Sequence, residues 1–227
     1  MARRPPSRSA RLTPHRLCAW NHRFDDASRR FRTIYVAEHA ETSLREVLAD
    51  FRPKRSALSR YRATMGTAAD LPSASITASW RRQHVLASVC LQLDGPVCDL
   101  TDVAVRAAVE ARHGQLLDAH GMPHLDLHEV TSRRRVVTQT IAGSLHDRGT
   151  AAIRFPSRLD GHACLAIFEG RGSLRAADDP IALTDPPPPV LTEVAAQWQL
   201  VIEPTATDDE FGWSDAATAR MIDEEPW

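Results

Sequence analysis

The apolar positions change their period several times along the chain, and each change marks an element. Thr33–Glu38 (TIYVAE) concentrates β-branched and aromatic residues in a short run, which predicts a strand. It runs into Glu41–Phe51, where Leu44, Val47, Leu48 and Phe51 recur at helical spacing, so a helix follows. Val85–Leu93 is an apolar run closed by Asp94-Gly95 and predicts another strand. Thr101 stands in the N-cap position of a helix expected over Asp102–Arg112. In Arg135–Asp147, Val136, Ile141 and Leu145 lie close to helical spacing, and Gly149 is placed to end that helix in a left-handed turn. Ala151–Phe155 and Ala163–Phe168 then read as two strands paired around the turn at Pro156–Gly161. Short strands and separate helices predict an α+β domain. No internal repeat is visible.

The two ends break this pattern. Residues 1–16 hold five arginines, no acid and almost nothing to bury, so packing does not offset their backbone entropy. At the other end, the prolines at 186–189 interrupt any inner strand, and Asp208–Trp227 is strongly acidic. The expected organisation is a basic flexible arm over 1–15, one domain over 16–204 and an acidic tail over 205–227.

Composition narrows the class. With 227 residues, 43% hydrophobic and 25% charged, the chain has the balance of one soluble globular domain and is too short for two full-sized enzymes. A net charge of -1 supplies no basic excess, so direct nucleic-acid binding and a membrane-surface role are not expected. Cys18, Cys90, Cys98 and Cys164 form no CxxC pair, which fits a reducing compartment and a cytoplasmic location. The longest apolar run is about half of the ~20 residues that cross a bilayer, and the arginine-rich start has no apolar core after it. Neither anchor nor export signal is expected.

The chemistry concentrates in Arg23–Arg52. An arginine precedes a turn, a tyrosine lies inside a strand and a glutamate sits one turn into the following helix. These pieces are Arg23-Phe24, Ile34-Tyr35-Val36-Ala37 and Ser43-Leu44-Arg45-Glu46-Val47. Far along the chain come Thr138-Gln139 near a helix start, Gly149, and Ile153-Arg154-Phe155-Pro156-Ser157. In this order and spacing, over roughly residues 16 to 170, the sequence resembles the RES-domain family. That resemblance implies a RES domain with an α+β fold related to the ADP-ribosyltransferases, of short mixed and antiparallel sheets with flanking helices. It also implies a toxin of a toxin–antitoxin system that degrades NAD at the nicotinamide–ribose bond, by phosphorolysis or hydrolysis. NAD is then the substrate, inorganic phosphate a possible co-substrate, and an Xre-like helix-turn-helix antitoxin the partner. No metal is expected.

The residue types suit that chemistry. An arginine fork binds phosphate oxygens through paired, charge-assisted hydrogen bonds, which makes Arg23 a candidate for the dinucleotide's phosphate or ribose side. Breaking the nicotinamide–ribose bond builds positive charge on the sugar, so a carboxylate there is worth more in the transition state than in the ground state. Glu46 is the candidate for that role, Tyr35 for orienting the nicotinamide, and Ser157 for hydrogen-bonding the dinucleotide. Family members place a further arginine ahead of the strand; Arg16 is its nearest counterpart, with no aromatic directly after it.

Each candidate has a plainer reading. Ser43 and Glu46 also fit a capping box, Tyr35 fits strand packing, Arg23 fits an exposed ion pair with Asp25 or Asp26, and Ser157 fits a turn hydroxyl. Two other functions stay open: a RES-like binding module without turnover, and a metal-dependent hydrolase built on His120, His124 and His128. Pro123 opposes a continuous helix through those histidines. Arg133–Arg135 reads as a solvated edge or an acceptor for acidic groups.

Overall fold

The computed structural model describes residues 22–52, 74–132 and 134–205. The expected arm over 1–15, with Arg16, lies outside the described residues, as does the expected acidic tail apart from Thr205. In chain order the elements are β1 (Thr33–Ala37), α1 (Ala40–Leu48, then a 3-10 turn over Ala49–Phe51), β2 (Ser75–Ile76), α2 (Ala78–Gln83) and β3 (Val85–Leu86). There follow β4 (Val89–Leu93), β5 (Val97–Asp99), α3 (Val103–Ala119), α4 (Leu127–Thr131) and α5 (Arg135–Asp147). The last are β6 (Ala152–Pro156), β7 (Ala163–Phe168), β8 (Gly172–Ala176), β9 (Ile181–Ala182), α6 (Pro189–Gln197) and β10 (Val201–Ile202). This is the α+β class read from the sequence.

A four-stranded mixed sheet in the order β1-β7-β6-β5 organises the domain. β7 lies antiparallel between β1 and β6, and β5 closes the far edge parallel to β6. Three two-stranded pairs, β2 with β10, β3 with β9 and β4 with β8, complete the strands. The expected β6–β7 pairing is present, with Ile153 opposite Ala166 and Phe155 opposite Cys164. The single strand expected over Val85–Leu93 is two strands instead. β3 pairs with β9 and β4 with β8, so the chain changes partner at Ala87-Ser88.

Local chemistry explains the helix ends. α3 is capped by Asp102 and not by Thr101: Asp102 Oδ1 accepts from the backbone N–H groups of Ala104 and Val105 at 2.7 and 3.2 Å. Thr101 turns its hydroxyl to Asp99 Oδ1 at 2.6 Å. The helix also runs beyond the expected Arg112 to Ala119, through a kink at His113. α5 spans the residues read from the sequence, and Gly149 follows it at φ +83°. There Gly149 N–H donates to the His146 carbonyl and Thr150 N–H to that of Leu145, the doubled bond that ends a helix on a left-handed residue.

Two apolar clusters hold these elements. The larger lies between α3, α4, α5 and one face of the main sheet, and includes Phe24, Val137, Ile141, Ile153, Phe155 and Phe168. The smaller joins α1 to α6 through Leu44, Leu48, Leu191 and Val194. Burying side chains of this size stabilises a fold by roughly 1.5–3 kcal/mol each. α1 thus anchors its Leu44–Leu48 face in the smaller cluster and is free to turn Glu46 elsewhere. Among the described residues no helix is long and apolar enough to cross a membrane, and Cys90, Cys98 and Cys164 are free thiols.

Candidate active site

The site forms where β1, α1 and the β6–β7 turn meet. Opposed residues of an antiparallel sheet project to the same face, and the register aligns Tyr35, Ala166 and Ile153 across β1, β7 and β6. Tyr35 therefore lies on the side of the larger core, but on the edge strand, where it keeps 36% exposure. Its ring meets Phe155 edge-on, with centroids 6.3 Å apart, and lies 5.6 Å from the ring of His22. Its hydroxyl oxygen accepts the Phe24 backbone N–H at 2.8 Å, which fixes the segment that carries Arg23. Burial drives the phenol pKa well above its ordinary value, so the hydroxyl keeps its proton and can donate it onward.

Arg23 makes no ion pair with Asp25 or Asp26. Its Nη1 donates to the carbonyls of Val130 and Ser132 at 2.6 and 3.0 Å, tying the arginine to the end of α4. Asp26 instead takes Arg30, which also reaches Asp147, and Asp25 accepts the His22 N–H. Burial lowers the pKa of the Arg23 guanidinium; Glu46 opposes that shift, and Arg158 and Arg135 add to it. The guanidinium lies over the Phe155 ring, 6.0 Å from its centroid, two residues before Ser157.

Glu46 does not close a capping box. α1 begins after His39, so Ser43 is already inside the helix and no side chain caps its start. The glutamate is exposed at the rim of the site, but its carboxylate is engaged. Ser157 Oγ donates to Glu46 Oε1 at 2.6 Å, and Ser157 itself is 3% exposed. Glu46 Oε2 accepts no hydrogen bond from the described residues.

The β6–β7 turn is built to hold this contact. Ser157 N–H donates to the His162 carbonyl at 2.7 Å, and Gly161, at φ +80°, returns its N–H to the Ser157 carbonyl at 2.9 Å. A left-handed residue there suits glycine. Asp160 Oδ2 accepts from the buried Thr42 hydroxyl of α1 at 2.9 Å and lies 3.7 Å from Arg45 Nε. One turn therefore grips α1 twice, through Ser157 and through Asp160. Below it, burial pushes the Cys164 thiol up to about 12, with Glu46 and Asp160 adding to the shift.

Four of the five residues selected from sequence, Arg23, Tyr35, Glu46 and Ser157, converge here, and Arg16 lies outside the described residues. Arg135 and Arg158, whose charges also act on Arg23, were not among the residues selected from sequence. A signal existed for Arg158, which directly follows Ser157, whereas Arg135 was read as part of a solvated edge. The histidine alternative finds no support in the geometry: α3 ends at Ala119, α4 starts at Leu127, and His124 pairs with Glu110 at 3.2 Å. Among the described residues no three His, Cys, Asp or Glu side chains come together as a metal-binding group.

A carboxylate fixed by a hydroxyl, a phenol on an aromatic edge and a half-buried guanidinium form a site suited to a cationic centre next to an anion. Comparison with protein families matches the RES domain over residues 3–189, a span that holds all five selected positions. No curated protein and no solved structure matches the chain. With a match that covers most of its length, the chain belongs to the RES-domain family.

Proposed function

We propose that this protein is a toxin-like enzyme that degrades NAD by cleaving the bond between nicotinamide and ribose. The observation that carries this reading is the hydrogen bond of Ser157 to Glu46, made beside Arg23 and Tyr35. Cleavage breaks the ribose C1′–N bond; its electron pair leaves with nicotinamide, which departs neutral, and the sugar is left cationic. Glu46 faces that charge with Oε1 held by Ser157 and Oε2 available to a ribose hydroxyl, an interaction that strengthens as the cation develops. Tyr35 orients the nicotinamide with its ring and hydroxyl. An oxygen of water or of inorganic phosphate then bonds to C1′ on loss of a proton, giving ADP-ribose or its 1-phosphate.

An enzyme that consumes a central cofactor needs restraint. The partner proposed is an Xre-like helix-turn-helix antitoxin that covers the cleft, with both proteins in the cytoplasm. The same reading gives NAD and inorganic phosphate as small-molecule ligands.

The test is incubation of the purified chain with NAD, in phosphate and in phosphate-free buffer, with separation of products. Free nicotinamide beside ADP-ribose or its 1-phosphate is expected, and the buffer dependence identifies the acceptor. Intact NAD in both buffers, with the protein folded, would overturn the enzymatic reading and leave a binding module. Co-expression with the product of an adjacent helix-turn-helix gene should yield a complex; two separate proteins would overturn the partner.

A further inference from the structure

One face of α1 runs along the β6–β7 turn, and three pairs of residues meet across the two. Ser157 Oγ donates to Glu46 Oε1 at 2.6 Å, the Thr42 hydroxyl donates to Asp160 Oδ2 at 2.9 Å, and the rings of His39 and His162 meet edge-on with centroids 4.7 Å apart. The order is antiparallel: His39, Thr42 and Glu46 along the helix meet His162, Asp160 and Ser157 along the turn. At about 100° per residue, Thr42 and Glu46 share one face of the helix, and Leu44 and Leu48, which enter the smaller apolar cluster, lie on the opposite one. α1 is therefore held by packing on one side and by polar pairs on the other.

The pairs differ in exposure. Thr42 is fully buried and the Asp160 side chain is 9% exposed, whereas His39, His162 and Glu46 are exposed. Both oxygens of Asp160 are used: Oδ1 accepts the His162 N–H at 3.1 Å and Oδ2 the Thr42 hydroxyl, with Arg45 Nε 3.7 Å away to offset its charge. Ser157 Oγ also accepts the Leu159 N–H at 3.1 Å, so its own proton is directed to Glu46. A turn joined to α1 by the Ser157 bond alone would pivot about it. A second bond one helical turn away, shielded from water, removes that freedom.

We propose that Thr42 and Asp160 are positioning residues for Glu46: their buried bond fixes the turn so that the Ser157 hydroxyl meets one carboxylate oxygen and leaves the other toward the cleft. The role rests on the proposed NAD cleavage, since the reacting sugar is what Glu46 must face. Neither residue touches the substrate, and both act through Ser157. A carboxylate displaced by about 1 Å from a developing cation loses much of its stabilising effect, so a contact remote from the sugar is expressed in the rate.

The test is a double-mutant cycle on NAD cleavage by the full chain, read as kcat and KM from initial rates of nicotinamide release, with thermal unfolding as a fold check. Thr42→Val keeps the side-chain shape and removes the hydroxyl; kcat should fall roughly 5-fold or more with KM within about twofold of wild type. Asp160→Asn offers one acceptor oxygen in place of two and should do the same. Thr42→Ser should recover most of the rate lost in Thr42→Val. Thr42→Val combined with Ser157→Ala should be about as slow as Ser157→Ala alone, because both changes break one chain of contacts. Folded Thr42→Val and Asp160→Asn proteins with wild-type kcat, or losses that multiply in the double variant, would overturn the positioning role and leave the cleavage reading standing. A wild type that leaves NAD intact would overturn both.

Discussion

Ser157 Oγ donates to Glu46 Oε1 at 2.6 Å, joining residues 111 positions apart in the chain. The bond sets which carboxylate oxygen faces the cleft. Glu46→Gln should reduce NAD cleavage at least ~100-fold, the scale seen when a preorganised transition-state stabiliser is removed. Ser157→Ala should reduce kcat by roughly 10-fold or more while changing KM little, because it releases the carboxylate without removing it. Initial rates of nicotinamide release check both, and a Glu46→Gln protein with unchanged turnover would remove Glu46 from the mechanism.

Tyr35 and Phe24 give a second test. Phe24 is fully buried, and its N–H is satisfied by the Tyr35 hydroxyl. Tyr35→Phe leaves that donor without its acceptor, at a cost of about 1–3 kcal/mol. A urea titration should show the midpoint falling with an unchanged slope. A midpoint equal to wild type would mean that the Phe24 N–H finds water instead.

Acid stability should depend on Asp185. Hydrogen bonds from Arg81 and Thr205 hold this carboxylate down to about 2 from the ordinary 3.8. Arg81 is almost fully buried and also donates to the carbonyls of Leu183 and Glu203. A depressed carboxylate contributes stability that is complete above its unfolded pKa and is lost as pH falls through the folded one. The contribution therefore declines between about pH 4 and pH 2. Asp185→Asn should flatten the wild-type loss of thermal stability in that window, and identical pH slopes would exclude the linkage.

The described cysteines should differ in reactivity. Cys90 is exposed, whereas Cys164 is buried with its thiol pushed up to about 12. Only the thiolate reacts with alkylating agents. Iodoacetamide at pH 8 should label Cys90 well before Cys164 in the folded protein, as peptide mapping would show. Equal labelling would mean that the β7 strand opens.

Much of this arrangement is legible in the sequence. α5 and the β6–β7 pair were readable because their apolar periods are long and a glycine or a turn closes each. The Val85–Leu93 run was not, since its composition is uniform and the change of partner depends on β8 and β9, far along the chain. At Thr101-Asp102 two good caps adjoin, and the choice follows from Asp99, which takes the threonine hydroxyl. In the site, Glu46 and Ser157 stood out by residue type and order. Arg135 did not, because it lies in a run of three arginines that reads as a solvated edge.

The β6–β7 turn clasps α1 at Glu46 and again at Thr42, so helix and hairpin form one mechanical unit. Substitutions in either segment are then constrained by the other, and homologues should exchange the two together. A chimera that imports the hairpin from a distant relative without its matching helix would fold around both apolar clusters yet present a misaligned acid, giving a stable protein that is catalytically silent.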